Sequence, residues 1–460
     1  NVAEALRVDG WVVTEAETAE RALEMLAAES WSLVFCDVRL GEGATHDGFD
    51  LLRKFTKEQP AAQIVLMTGH GSAVGALDAT AFGAYDYLLK PFDIRDVLNI
   101  SQTVRGGLEK QRGATAEGDS AAPDVYTSDI DLVGRNPAFV EVMKLVGRVA
   151  ATSLPVLITG ESGTGKEIVA RAIHRRSQRA SQSFVAVNCG AIPSELIESE
   201  LFGHVRGSFT GATVDRRGLW QEADGGTVFL DEITETTPAF QVKLLRALQE
   251  GEIRRVGSNH TMKVDVRVIA ATNRDIEREM RDGGFRQDLL YRLNAVTLYL
   301  PPLRERREDI MPLARHFSRK LAREGERPVS FAPDAVQMIE DYAWPGNIRE
   351  LENAIVRAAA LCDQIVRPED LPERIRNFFS ENAPAQVSAA APTQEGRDEG
   401  LLTLAELERR HVERVLAHTG GNKQAASRIL GVDRTTLQRM VKRYNLESSG
   451  ANGAAKAQGH

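Results

Sequence analysis

Apolar runs of strand length alternate with amphipathic segments along much of the chain, and each run closes on a polar residue of distinct chemistry. SLVFCD ends on Asp37, QIVLMTG on Thr68 and Gly69, and YDYLLKPF on Lys90 and the residues after it. Continuous apolar runs indicate strands covered on both faces, as in a parallel sheet whose working loops lie at the strand C-termini. The pattern repeats on a larger scale. PVLITG, FVAVNCG, TVFLDE and VRVIAATN predict four more buried strands, followed by a mostly helical stretch from Pro302 to Phe379. From Leu404 onward the periodicity is helical throughout.

Two low-complexity stretches interrupt these patterns: Gly106–Ala122 and Glu381–Gly400. Both are poor in residues able to bury apolar surface and read as linkers, as does the tail after Glu447. With 460 residues, about three domains are expected. No apolar run approaches the roughly 20 residues of a membrane span, and the opening NVAEALRVDG lacks a signal pattern. Cys36, Cys189 and Cys362 are too scattered for a disulfide frame or zinc site, so a cytoplasmic protein without membrane contact is expected. The net charge of −8 is uneven. Gly421–Leu446 carries six Lys/Arg against one acid, a local +5 that suggests nucleic acid.

The most specific motif is Gly160-Glu161-Ser162-Gly163-Thr164-Gly165-Lys166, placed between a strand and a helix. Its glycines let backbone N–H groups turn inward onto phosphate oxygens, Lys166 neutralises the β/γ charge, and the helix N-terminus adds its dipole. The next residue is Glu167, where a Ser or Thr usually holds magnesium. Asp231 at the end of TVFLDE supplies an alternative metal ligand, and Glu232 can polarise the attacking water. ATP and Mg2+ are therefore the expected cofactors.

From about Leu132 to Phe379 the chain resembles the central domain of NtrC-type activators, a branch of the AAA+ ATPases. The resemblance rests on GESGTGKE, ESELFGHVRGSFTGA, GGTVFLDEI, VRVIAATNRD, FRQDLLYRLN and WPGNIRELEN. Glu167 follows the lysine in that family too. The resemblance implies that Asn188 pairs with the catalytic glutamate and that Asn273 senses the γ-phosphate. It also implies that Arg286 and Arg292 are arginine fingers acting on a neighbouring subunit, and that Arg349 on the helical lid is a second sensor. Gly207-Ser208-Phe209-Thr210-Gly211-Ala212 resembles the loop that grips sigma-54, with serine where the family usually has alanine. Two glycines around an aromatic residue suit a mobile tip.

The first segment resembles a phosphoacceptor receiver of flavodoxin-like fold, with Asp37 as acceptor, Thr68 and Lys90 as its partners and Tyr87 as switch aromatic. The chain opens inside what resembles the first helix, so the first strand and its acidic pair are expected to be missing from an N-terminally incomplete domain. The loop DVRLGEGATHDG after the acceptor is longer than in the family and lacks its proline.

Gly421–Leu446 reads as helix–turn–helix and resembles the Fis-type module. Asn422 and Asp433 cap the two helices and Gly431 makes the turn. Leu437, Met440, Val441 and Tyr444 form the apolar stripe. Lys423, Arg434, Thr435, Thr436, Gln438, Arg439 and Lys442 are the candidate DNA contacts. The preceding helix (Leu404, Leu407, Val412, Val415, Leu416) is expected to pair two chains.

The expected architecture is α/β multidomain: a receiver at 1–105, a linker at 106–130, an AAA+ P-loop domain at 131–379 with its lid from about 302, a linker at 380–402, an all-α Fis-type helix–turn–helix at 403–447 and a disordered tail at 448–460. The expected function is sigma-54-dependent transcriptional activation within a two-component system. Its partners would be the sigma-54 RNA polymerase holoenzyme, upstream enhancer DNA, a sensor histidine kinase and further copies of the chain, from dimer to hexamer. Two rivals are a DNA-binding regulator without remodelling activity and a AAA+ unfoldase.

Overall fold

The structure is a computed structural model, and it describes residues 2–40, 47–69, 71–111, 132–322, 328–382, 409, 411–416, 419 and 422–444. Most of both linkers, the tail, residues 41–46 of the loop after Asp37, Leu404, Leu407, Gly421 and the Arg434 side chain lie outside these described residues. The chain divides into two units, Asn1–Ala383 and Pro384–His460.

In the first unit, Leu33–Asp37, Gln63–Thr68 and Asp86–Leu89 form a parallel three-stranded sheet in that order among the described residues. The register sets Asp37 opposite Met67 and Thr68 opposite Leu89, so all three strands deliver their C-termini to one edge. Capping fixes the helices between them. Thr18 caps Ala19–Ala28, Asp47 and Asp50 form a reciprocal capping box on Gly48–Glu58, and Ser72 caps Ala73–Ala81. The outer side of Leu33–Asp37 borders a cavity of about 470 Å³ lined by Leu6, Trp11, Val13, Phe35 and Met67.

A larger sheet follows, five parallel strands in the order Val296–Tyr299, Val156–Thr159, Arg267–Thr272, Thr227–Asp231, Phe184–Asn188. Sequence reading predicts four of these. Val296–Tyr299 escapes because Thr297 interrupts its apolar residues, so it lacks a continuous apolar run. The lid packs Ile310–Leu321, Pro333–Asp341, Asn347–Leu361 and Glu373–Asn382 around Trp344, Leu351 and Ile355.

The two sheets share one core, because helix Ala73–Ala81 lies along helix Pro137–Ala150. Gly147 permits the approach: a Cβ there would sit 1.9 Å from Thr80 Oγ1 and 2.7 Å from the Leu77 carbonyl. Arg176, almost wholly buried, pairs with Asp78 at 2.6 Å, and Lys144 with Asp86 at 2.8 Å.

In the second unit, helices Lys423–Leu430 and Arg434–Arg443 meet across Gly431, whose φ of 65° needs glycine. Val412 and Val415, expected to pair two chains, are instead buried with Ala426, Leu437 and Val441 of the same chain. A helix pair alone offers too little apolar surface to close a core, so the preceding helix supplies the third wall.

Candidate functional site

The phosphate loop leaves strand Val156–Thr159 and turns on three glycines with positive φ, Gly160 (151°), Gly163 (78°) and Gly165 (96°). Space as well as φ demands two of them: a Cβ on Gly163 would lie 2.4 Å from the Gly346 carbonyl, and one on Gly160 would lie 2.7 Å from that of Leu300. The Thr164 hydroxyl donates to the Glu161 carbonyl at 2.9 Å. Lys166 opens the following helix and is buried, its ammonium donating to the Gly160 and Glu161 carbonyls at 2.8 and 2.9 Å. Burial lowers its pKa, while the nearby Asp231 and Glu232 carboxylates oppose that shift. Glu167 points elsewhere. Its carboxylate is exposed and pairs with Arg171 at 2.6 Å, leaving only its backbone in the helix's first turn beside the loop.

Asp231 closes strand Thr227–Asp231 opposite Asn188 and accepts the Glu232 backbone N–H at 3.0 Å. Glu232 sits at φ 53°, a left-handed conformation uncommon outside glycine, which breaks the strand at this point. The Glu232 carboxylate and Asn188 Oδ1 both flank Gly190, where a Cβ would lie 2.4 and 3.4 Å from them. The expected Asn188–Glu232 pairing is not made: Asn188 Oδ1 accepts the Ala191 N–H at 3.0 Å. Beneath them the buried Cys189 thiol is pushed up to about 12, by burial first and then by the two carboxylates.

Asn273 is exposed just past strand Arg267–Thr272, beside Arg274, which pairs with Glu235 at 2.5 Å and Glu279 at 3.1 Å. Arg349 reaches the Ser162 hydroxyl at 3.4 Å. Arg286 and Arg292 do not join this site. They are exposed, the first paired with Asp288 at 2.7 Å and the second donating to the Leu248 carbonyl at 3.3 Å.

Two side chains that sequence reading passed over tie the loop to the lid. Asn347, fully buried, donates to Glu161 and to the Ser162 carbonyl and accepts the Leu303 N–H. Arg306, also fully buried, lies over the Phe139 ring at 4.4 Å and donates to the Thr164 carbonyl at 3.1 Å. Arg306 stands in the charged run RERRED and so reads as surface. A Gly-Asn step opening a helix was the available signal for Asn347.

The loop Gly207–Ala212 is closed by the Gly207 N–H donating to the Ala212 carbonyl at 2.9 Å, with Phe209 38% exposed at its tip. In the smaller sheet, Lys90 Nζ donates to the Asp37 carboxylate, and the buried Tyr87 hydroxyl hydrogen-bonds Thr68 and the Ser72 backbone. In the second unit, Gln438, Arg439 and Lys442 are exposed along helix Arg434–Arg443. Thr435 and Thr436 are committed otherwise, because both hydroxyls donate to Asp433, the helix cap.

A glycine-rich loop, a strand-end Asp-Glu pair and a helical lid folded onto the loop define a nucleotide-hydrolysing AAA+ module. The sequence matches the family models Sigma-54 interaction domain over residues 132–299, AAA+ ATPase lid domain over 304–388, Response regulator receiver domain over 1–105 and Bacterial regulatory protein, Fis family, over 403–444. It is 42% identical over 439 residues to the transcriptional regulatory protein ZraR of Escherichia coli (strain K12), covering 95% of each chain. It is 41% identical over 461 residues to the DNA-binding transcriptional regulator NtrC of Salmonella typhimurium, covering 96% of each. A crystal structure of NtrX from Brucella abortus in complex with ATP superimposes with a TM-score of 0.50 at 31% identity, over 96% of both chains. The chain belongs to the sigma-54-dependent response regulators, transcriptional activators that carry a receiver, an AAA+ ATPase domain and a Fis-type DNA-binding domain. It is an ATPase, binds nucleotide and regulates transcription through DNA.

Proposed function

We propose that this chain assembles as a ring, a hexamer in its active form, in which ATP hydrolysis drives the Gly207–Ala212 loops against the sigma-54 RNA polymerase holoenzyme to open promoter DNA. The observation that carries this reading is the single cluster of Lys166, Asp231 and Glu232 with Gly190 beneath the lid. Lys166 holds the β/γ-phosphates and Glu232 orients the attacking water. Asn188, Asn273 and Arg349 respond to the γ-phosphate. A lone strand-end carboxylate suits Mg2+, an ion that keeps several waters and takes its remaining ligands from phosphates, and Asp231 would hold it. Bound there, the ion would neutralise charge on the phosphate oxygens. Arg286 and Arg292, exposed and remote in contact from their own site, serve a neighbouring subunit, where such a finger contributes roughly 10³–10⁵ in rate.

Asp37 is the acceptor of a phosphoryl group from a sensor histidine kinase, with Thr68 and Lys90 holding it. Gln438, Arg439 and Lys442, with Lys423 and Arg434, contact upstream enhancer DNA, which raises the ring's effective concentration at the promoter. The work takes place in the cytoplasm.

The deciding measurement compares ATPase and sigma-54 open-complex formation in wild type, Thr210→Ala and Glu232→Gln. Glu232→Gln should lose roughly 10²–10⁴ in hydrolysis and all opening. Thr210→Ala should lose opening by far more than it loses hydrolysis. Opening that survives both substitutions overturns the proposal.

A further inference from the structure

The Gly207–Ala212 loop rests on a neighbouring hairpin, Glu252–Arg254 paired with Thr261–Lys263. The Val205 N–H donates to the Val256 carbonyl at 3.1 Å. Phe209 stands edge-on to His204, ring centroids 5.1 Å apart, and the Ser199 hydroxyl holds His204 at 2.7 Å. The seam is closed by Ser208 against Gly257, where φ is 80° and a Cβ would lie 2.6 Å from that of Ser208. Docked in this way, Ser208 Oγ is shut off from solvent and has no hydrogen-bond partner among the described residues. Raising the loop returns that hydroxyl to water.

We infer that Ser208 is a positioning residue that keeps Phe209 and Thr210 weakly docked, its unpaired hydroxyl lowering the cost of lifting the loop off Gly257. This rests on the proposed role of the loop in gripping sigma-54. A buried hydroxyl without a partner weakens the docked state roughly 5- to 100-fold relative to an alanine of the same fit. A Cβ at Gly257 would weaken it from the opposite side.

Amide hydrogen exchange of Gly207–Ala212 in the full chain tests this, together with sigma-54 binding with and without ADP–aluminium fluoride. Ser208→Ala should slow exchange of these amides by roughly 5- to 100-fold and reduce fluoride-dependent sigma-54 binding. Gly257→Ala should speed exchange and allow sigma-54 binding without fluoride. Exchange in Ser208→Ala equal to or faster than wild type overturns the inference. Exchange that shifts as expected while sigma-54 binding follows neither variant upholds the docking and sinks the sigma-54 reading of the loop.

Discussion

The side-chain amide of Asn347 donates to Glu161 Oε2 at 3.1 Å, joining the first turn of lid helix Asn347–Leu361 to the phosphate loop. The same side chain accepts the Leu303 N–H at 2.8 Å, and Arg304 holds Glu161 from the other side at 2.6 Å. Lid, loop and the segment between them are therefore fastened to one another. Nucleotide held by the loop becomes sensitive to lid position through a neutral, buried amide.

Asn347→Ala removes the amide and also places alanine at φ 53°. An orphaned Leu303 N–H and a left-handed alanine together should cost about 2–4 kcal/mol of stability and weaken ATP binding about tenfold. Asn347→Gly keeps the backbone at ease and should recover only part of the stability and little of the affinity. Denaturant unfolding and ATP titration read both quantities. A variant within about 0.5 kcal/mol of wild type would show that the amide latch carries no weight.

The arginine fingers need a different test, since Arg286 and Arg292 make no contact with their own chain's catalytic pair. Arg286→Ala and Glu232→Gln should each be inactive alone. Mixed, the Glu232→Gln subunits still offer an arginine to the intact site of an Arg286→Ala neighbour, so activity should partly return. ATPase measured across mixing ratios gives a curve bowed above the straight line between the parents. A flat line at the parental floor would mean that Arg286 acts within its own subunit.

What was legible in the sequence divides by physical cause. Buried strands ending on Thr68, Thr159 and Asp231 announce themselves because burial on both faces forces a continuous apolar run. Lys166 and its glycines are equally plain, as phosphate contact fixes both residue type and spacing. Edge strand Val296–Tyr299 was not legible because Thr297 breaks its apolar run, whereas the opposite edge strand Phe184–Asn188 keeps an apolar run although only Val187 in it is buried. Arg306 was hidden for another reason: its burial depends on the Phe139 ring from a distant helix, which no local pattern encodes. Val412 and Val415 show the limit of amphipathicity, which reveals an apolar face and not what covers it.

Gly147 makes a sharp prediction about the two sheets of the first unit. Any Cβ at this position meets both the Thr80 hydroxyl and the Leu77 backbone carbonyl, and the carbonyl cannot rotate away. Gly147→Ala should push helix Ala73–Ala81 off helix Pro137–Ala150 and strain the Arg176–Asp78 and Lys144–Asp86 pairs. The readout is amide exchange in Ala73–Ala81, expected to rise while exchange in strand Thr227–Asp231 stays put. Unchanged exchange in that helix would mean that the packing adapts without separation.

Asp433 offers a test by pH. Its carboxylate accepts the Thr435 and Thr436 hydroxyls and both of their backbone N–H groups, and these bonds, the Thr435 hydroxyl first, hold it well below the usual carboxylate range. A carboxylate whose folded pKa lies below its unfolded value of about 3.9 stabilises the fold above that value, and the contribution drains away as pH falls through the folded pKa. Amide exchange in helix Arg434–Arg443 should therefore be faster in Asp433→Ala than in wild type at neutral pH, the gap holding down to about pH 4 and closing below it. The same cap sorts the DNA contacts. Thr435→Val and Thr436→Val should lose helix protection together with DNA affinity, because their hydroxyls serve the cap. Gln438→Ala and Arg439→Ala should lose affinity alone. Protection unchanged in both threonine variants would return those hydroxyls to the DNA-reading surface.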